Sequence, residues 1–159
     1  MLSDKAKQLV AQLTKRGMTI TTAESCTGGR IAAAITAVPG SSKVFPGGVV
    51  SYCDRVKHRV LSVPQELLDQ YTAVSQPVAE AMASGAAALM DTDLALSATG
   101  LAGPEGDGVQ PVGTVFLGLY VDGLCCCRHC VFSGDRERVQ QQAVEQALEM
   151  ALRWLEEHP

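Results

Sequence analysis

Apolar residues fall at helical spacing from the first positions of the chain: Ala6, Leu9, Val10 and Leu13 share a stripe, Ser3 precedes it as a capping hydroxyl and Gly17 follows it. That spacing predicts a first helix. Met18 to Thr22 then reads as a short strand. A second helix is predicted from Thr27 through Ile31, Ala32, Ala33, Ala34 and Ile35, small residues that allow close packing, and Pro39-Gly40 ends it. Phe45 to Tyr52 has a strand pattern, with Pro46 and Gly47-Gly48 marking an edge or bulge. Asp54 is placed to cap a short helix through Leu61, and Pro64 opens another that ends near Tyr71. Ser75 and Pro77 open a longer helix with Val78, Met82, Ala86 and Leu89 on its apolar stripe. Leu94 to Ala98 reads as a buried strand leading into a glycine-rich loop, and the segment from Gly100 to Gln110 is the one predicted to be mobile. Val112 to Val121 and Leu124 to Phe132 read as antiparallel strands, because Asp122-Gly123 is a strong two-residue hairpin signal. A last helix from about Arg136 to Glu156 puts Val144, Leu148, Ala151 and Leu155 on its core face.

Helices and strands alternate through the first two thirds, and a hairpin precedes the final helix. This order predicts an α/β fold, a single three-layer α/β/α domain around a mixed sheet spanning 1–159. With 159 residues, 47% hydrophobic and 19% charged, the chain is long enough for one sizeable core and is not of disordered composition. A net charge of −4 without any Lys/Arg block gives no footprint for nucleic acid. No apolar run approaches the roughly 20 residues that cross a bilayer, and Met1 to Lys5 has neither the basic flank nor the apolar core of an export signal. The expected location is cytoplasmic, without membrane association. Val, Leu and Ala faces on several helices leave room for a homodimer.

Six cysteines raise disulfide and metal readings, above all Cys125-Cys126-Cys127-Arg128-His129-Cys130. Zinc motifs space their ligands so that a turn folds both onto one ion, whereas consecutive cysteines in a strand point to alternate faces. They are expected to be small buried hydrophobes, and no metal or other cofactor is called for.

The richest chemistry lies in Thr21-Thr22-Ala23-Glu24-Ser25-Cys26-Thr27-Gly28-Gly29, which ends a strand and opens a helix. Such a helix start offers free backbone N–H groups beside a potential nucleophile, Ser25, and suits anion binding or acyl transfer; simple helix capping is the plainer role for Ser25 and Thr27. Cys26 is a secondary nucleophile candidate. Three strand ends, at Ser25, Tyr52 and Thr99-Gly100, are expected to converge where ligands bind open α/β sheets. Lys57 falls in the first turn of its helix, where the dipole disfavours a cation. That dipole, partial burial and neighbouring Arg55, His58 and Arg59 would all lower its pKa, as a base near neutrality requires, while a snorkelling surface lysine is the competing reading. His58, His129 and His158 sit in no motif that suggests a base, so Ser/Lys is the economical arrangement, with Tyr52 as relay or hydrogen-bond partner. Gly28-Gly29 and the Gly100 to Gly108 loop let backbone approach a ligand. Arg136 can meet a phosphate or carboxylate, or simply pair with Asp135.

Taken together, Thr21 to Gly29, Ser51-Tyr52 with Lys57, Ala73-Val74-Ser75, Gly100-Leu101-Ala102-Gly103-Pro104, Pro111 to Val115 and Gly134-Asp135-Arg136 resemble the C-terminal domain of the CinA family, in order and over nearly the whole chain. That domain also occurs alone as nicotinamide-nucleotide amidase. The resemblance implies hydrolysis of the carboxamide of nicotinamide mononucleotide to nicotinate mononucleotide and ammonia in pyridine nucleotide salvage, with no metal. It implies Ser25 as nucleophile and Lys57 and Tyr52 as its activating partners. The mechanism expected with it takes oxyanion contacts from the backbone of Cys26, Thr27, Gly28 and Gly29, and nucleotide binding from Thr99, Gly100, Ala102, Gly103 and Arg136, with Arg136 the most natural phosphate partner. Where the family often carries a further arginine four positions after the one matching Arg136, this chain has Gln140, which implies a weaker grip on a phosphate. The N-terminal domain that CinA proteins fuse to this one, with its activity, is expected to be absent. A nucleotide-binding module without turnover and a Ser/Lys hydrolase of another amide or ester are the competing functions.

Overall fold

The computed structural model describes residues 2–159. Its elements are α1 (Asp4–Arg16), β1 (Ile20–Glu24), α2 (Arg30–Thr36), β2 (Val49–Val50), α3 (Asp54–Leu61), α4 (Gln65–Tyr71), α5 (Gln76–Met90), β3 (Leu94–Gly100), β4 (Thr114–Val121), β5 (Leu124–Val131) and α6 (Arg136–Glu157). The strands form one mixed sheet in the order β2-β1-β3-β4-β5, parallel from β2 to β3 and antiparallel from β3 to β5. Helices α1, α2 and α6 cover one face through Leu94, Leu96, Val115, Leu117 and Leu119. On the other face α5 packs Val78, Met82, Ala83 and Ala86 against Ala23 and Ala95. The three-layer α/β architecture predicted from the chain pattern is thus the one observed.

Most boundaries moved for identifiable reasons. Ser3 Oγ accepts the Ala6 N–H and Gly17 adopts φ 66°, so α1 is capped as predicted. The Met18 N–H is then spent on the Leu13 carbonyl, closing the helix end, and β1 begins at Ile20 rather than Met18. Only Val49 and Val50 of the expected 45–52 strand pair regularly with β1, because Pro46 has no N–H to donate and Phe45 turns into the core. Cys53, not Asp54, holds the N-cap position of α3 and makes no side-chain cap bond; Asp54 is the first helical residue. In α5 the buried residues advance in steps of four, 78/79, 82/83 and 86/87, so Leu89 leaves the stripe and is 52% exposed.

One glycine sets the spacing that matters for function. A methyl group on Gly85 of α5 would lie 1.8 Å from the Leu61 carbonyl oxygen at the end of α3. This close approach seats α3, which carries Lys57, against α5, the helix that packs on the sheet.

The Asp122-Gly123 hairpin forms as predicted, both residues with positive φ (53° and 81°). Strand β5 is the sheet's far edge. Its cysteines alternate between the two faces as expected, but Cys125 and Cys126 are exposed and Cys127 and Cys130 half-buried, because β5 has a neighbour on one side only. No described helix is long and apolar enough to cross a membrane.

Candidate active site

The chain leaves β1 toward β2 on one side, while β3 lies on the other, so the carboxyl ends of β1 and β3 flank a topological switch point. Ser25 stands there. Its N–H donates to the Ala98 carbonyl (2.8 Å), and the Ser51 N–H donates to the Glu24 carbonyl (2.7 Å), which ties the serine's backbone to β3 and to the chain beyond β2.

Lys57 reaches this point from α3. It is 2% exposed, its Nζ lies 3.0 Å from Ser25 Oγ, and it donates to the Ser51 carbonyl at 2.9 Å. The snorkelling reading is overturned. Burial lowers the Lys57 pKa, because a buried ammonium loses hydration; Asp54, Cys53 and Cys26 act in the opposite direction. The neighbouring cations Arg55, His58 and Arg59, which the sequence suggested as a cause, are not among the influences on it. Cys26 is also buried, which pushes its thiol up to about 12 and keeps it protonated at neutral pH, in conflict with a nucleophilic thiolate.

The helix start behaves differently from expectation. Gly28 and Gly29 take positive φ (57° and 97°) and form a turn, so α2 begins at Arg30, not Thr27. Glu24, fully buried, then fills the place reserved for an anion: its Oε1 accepts the Ile31 N–H (2.8 Å) and the Thr27 hydroxyl (2.7 Å), and its Oε2 accepts the Ala32 N–H (2.9 Å). The Gly28 N–H is spent on the Ser25 carbonyl. Thr27, Gly28 and Gly29 therefore shape the serine loop and do not line its cavity. Gln140 of α6 supports the same loop from behind, its buried amide donating to the Cys26 carbonyl at 3.0 Å.

The cavity over Ser25 measures about 240 Å³. Ser25, Cys26, Tyr52, Lys57, Thr99, Gly100, Ala102, Gly103 and Arg136 all line it, together with Asp54, Val74 and Glu105. None of the three histidines does. The Thr99 hydroxyl is committed to the Ala73 carbonyl (2.8 Å), so Thr99 contributes wall and no free donor. Tyr52, 57% exposed, bonds through its hydroxyl to Arg136 and makes no hydrogen bond to Ser25 or Lys57. Arg136 also donates to the Gly103 carbonyl (2.7 Å), and Asp135 instead caps α6 by accepting the Arg138 N–H. The guanidinium thus joins three walls of the cavity mouth. The Gly100 to Gln110 loop is further tied down where Gln110 donates to the Val74 carbonyl (2.6 Å).

Sequence reasoning selected Ser25 and Lys57 but missed what holds them. Glu24 had a legible signal, a carboxylate seven and eight residues before two helix-start amides; Gln140 and the Ser51 carbonyl had none, since long-range packing alone brings them in.

Residues 2–155 match the family model described as CinA C-terminal domain. The chain belongs to the CinA family. A CinA-like protein of Dictyoglomus thermophilum is 46% identical over 148 residues, and one of Geobacter metallireducens 48% over 143. The aligned parts cover 92% and 89% of this chain but 36% and 35% of those proteins, so the chain spans about a third of the length of the curated relatives it matches. The crystal structure of a CinA superfamily protein from Klebsiella pneumoniae superposes with a TM-score of 0.94 at 35% identity, covering 97% of both chains. The competence/damage inducible protein CihA from Agrobacterium tumefaciens gives 0.91 at 34% identity, covering 98% of both. Family membership and the fold therefore agree with the resemblance read from the motifs.

Proposed function

We propose that the chain is a nicotinamide-nucleotide amidase, hydrolysing the carboxamide of nicotinamide mononucleotide to nicotinate mononucleotide and ammonia. The observation that carries this reading is the buried Lys57 amine 3.0 Å from Ser25 Oγ, with neutral oxygens as its hydrogen-bond partners. A lysine there has little reason to keep its proton and a hydroxyl within reach to deprotonate.

In the proposed reaction neutral Lys57 accepts the Ser25 proton as Oγ bonds to the amide carbon. The carbonyl π bond becomes the oxyanion, and the donor assigned to it is the Cys26 N–H, which has no backbone acceptor and belongs to a residue that lines the cavity, unlike Thr27, Gly28 and Gly29. Lys57 then passes the proton to the amide nitrogen, the C–N bond breaks, and ammonia leaves an ester on Ser25. Water, deprotonated by the same amine, adds to that ester; the C–Oγ bond breaks, the proton returns to Ser25, and the carboxylic acid departs. Tyr52 acts at the mouth through Arg136, a positioning part and not a proton relay.

Ammonia release from nicotinamide mononucleotide tests the reading. Wild type is expected to turn over, and Ser25→Ala and Lys57→Ala are expected to lose turnover by about a thousandfold or more with the fold retained. Equal release by wild type and Ser25→Ala would reject it, and a panel of generic amides and esters separates this activity from a broader Ser/Lys hydrolase.

A further inference from the structure

The cavity over Ser25, at about 240 Å³, is smaller than the roughly 300 to 1,000 Å³ usual for pockets that enclose a small molecule. Directly across the Tyr52 to Arg136 hydrogen bond lies a second, more open hollow of about 690 Å³, whose walls include both of those residues, Arg30, Glu137 and Gln140. A nucleotide with its carboxamide at Ser25 must extend somewhere, and this hollow shares two residues with the mouth.

Arg30 is otherwise unexplained. It opens α2, where the helix dipole opposes a cation, and it is exposed, so neither capping nor packing accounts for it. Its guanidinium makes one long bond, 3.4 Å, to the Thr27 carbonyl. The ion pairs among the described residues involve Lys5 and Lys7, not Arg30 or Arg136. Glu137 is the carboxylate on the hollow's wall and pairs with neither arginine, while Gln140 is uncharged and turned toward Cys26. Arg136 bonds only the neutral oxygens of Gly103 and Tyr52. Two guanidiniums without carboxylate partners thus face one hollow beside the reactive serine.

With Arg136 as the phosphate partner already expected from the resemblance, we infer that Arg30 closes on the phosphomonoester of the substrate from the opposite wall of this hollow, and that Arg30 is the residue by which the enzyme prefers a phosphorylated carboxamide over the same compound without its phosphate. The guanidinium fork suits a dianion with several acceptor oxygens better than any single-point cation does. This inference rests on the amidase reading for its substrate, but its geometry stands apart from Ser25.

The test compares nicotinamide mononucleotide with the nucleoside that lacks its phosphate, in wild type, Arg30→Ala and Arg30→Lys. Arg30→Ala is expected to raise KM for the nucleotide about tenfold or more, with kcat within about twofold and KM for the nucleoside unchanged; Arg30→Lys recovers part of the loss. Isothermal titration of both ligands into Ser25→Ala, with and without Arg30→Ala, reads the clamp without turnover. If wild type releases no ammonia the amidase reading fails, yet the titration still decides the clamp. Equal weakening for nucleotide and nucleoside, or no weakening for the nucleotide, overturns it.

Discussion

Lys57 Nζ stands 3.0 Å from Ser25 Oγ, and its second partner is the Ser51 carbonyl oxygen. An ammonium in that position would be stripped of water and held by two uncharged oxygens, so burial drives it toward the neutral amine. The same amine has an ordinary pKa of 10.5 in an exposed setting.

A pH profile of kcat/KM follows from this. In the proposed mechanism only neutral Lys57 accepts the serine proton, so the rate is expected to rise with pH along a limb whose midpoint lies below 10.5. Asp54 lines the cavity and raises the Lys57 pKa by favouring its charged form. Asp54→Asn is therefore expected to move that limb to lower pH. A limb that stays in place, or moves upward, would contradict this electrostatic account.

Stability carries the same signature. Because the folded pKa is depressed, the unfolded chain binds more protons at Lys57 between that pKa and 10.5, and wild-type stability gains as pH rises through this window. Below the window both states are protonated, and the whole penalty of the buried cation is present. Urea unfolding of wild type and Lys57→Met, compared across pH, isolates the effect: relative to the variant, wild type should become more stable with rising pH.

Glu24 should be a keystone of the serine loop. Glu24→Ala strands the buried Ile31 N–H and Thr27 hydroxyl and the half-buried Ala32 N–H, and is expected to lose about 3 kcal/mol in urea unfolding. Turnover should fall in the folded fraction as well, because the loop that carries Ser25 loses its anchor.

Gly85→Ala tests the seat of α3. The added methyl would overlap the Leu61 carbonyl at 1.8 Å, so α3 must shift. The expected loss is about 2 kcal/mol, with kcat reduced more than KM is raised as Lys57 draws away from Ser25.

Cys26→Ala should keep most turnover. Its thiol, pushed up to about 12, is un-ionised at neutral pH, and its structural part is played by its backbone carbonyl, which Gln140 holds. Ammonia release at a rate within several-fold of wild type is the expected result. Gln140→Leu, by contrast, frees that carbonyl and should lower kcat.

The α/β layering was legible because the periodicities of α1, α5, α6 and the Asp122-Gly123 hairpin are local signals, each written within a few turns of chain. Ser25 and Lys57 could be chosen from helix chemistry, a hydroxyl at a turn and a cation where a dipole repels it. What could not be read locally was burial: nothing near Lys57 says that α5 offers Gly85 and lets α3 press inward. The helix-start amides of α2 escape a local reading for a related reason, since the anion that fills them, Glu24, belongs to the protein itself. The cysteines of β5 were assigned the right strand and the wrong exposure, because edge position is a property of sheet order and not of the segment.

The claim that Ser25 is acylated can be examined directly by quenching the enzyme in acid during turnover of nicotinamide mononucleotide and mapping the peptides by mass spectrometry. The account predicts a substrate-derived acyl adduct on Ser25 that is lost in Ser25→Ala and fails to form in Lys57→Ala. Steady ammonia release with no adduct at any quench time, or an adduct on Cys26 instead, would contradict it.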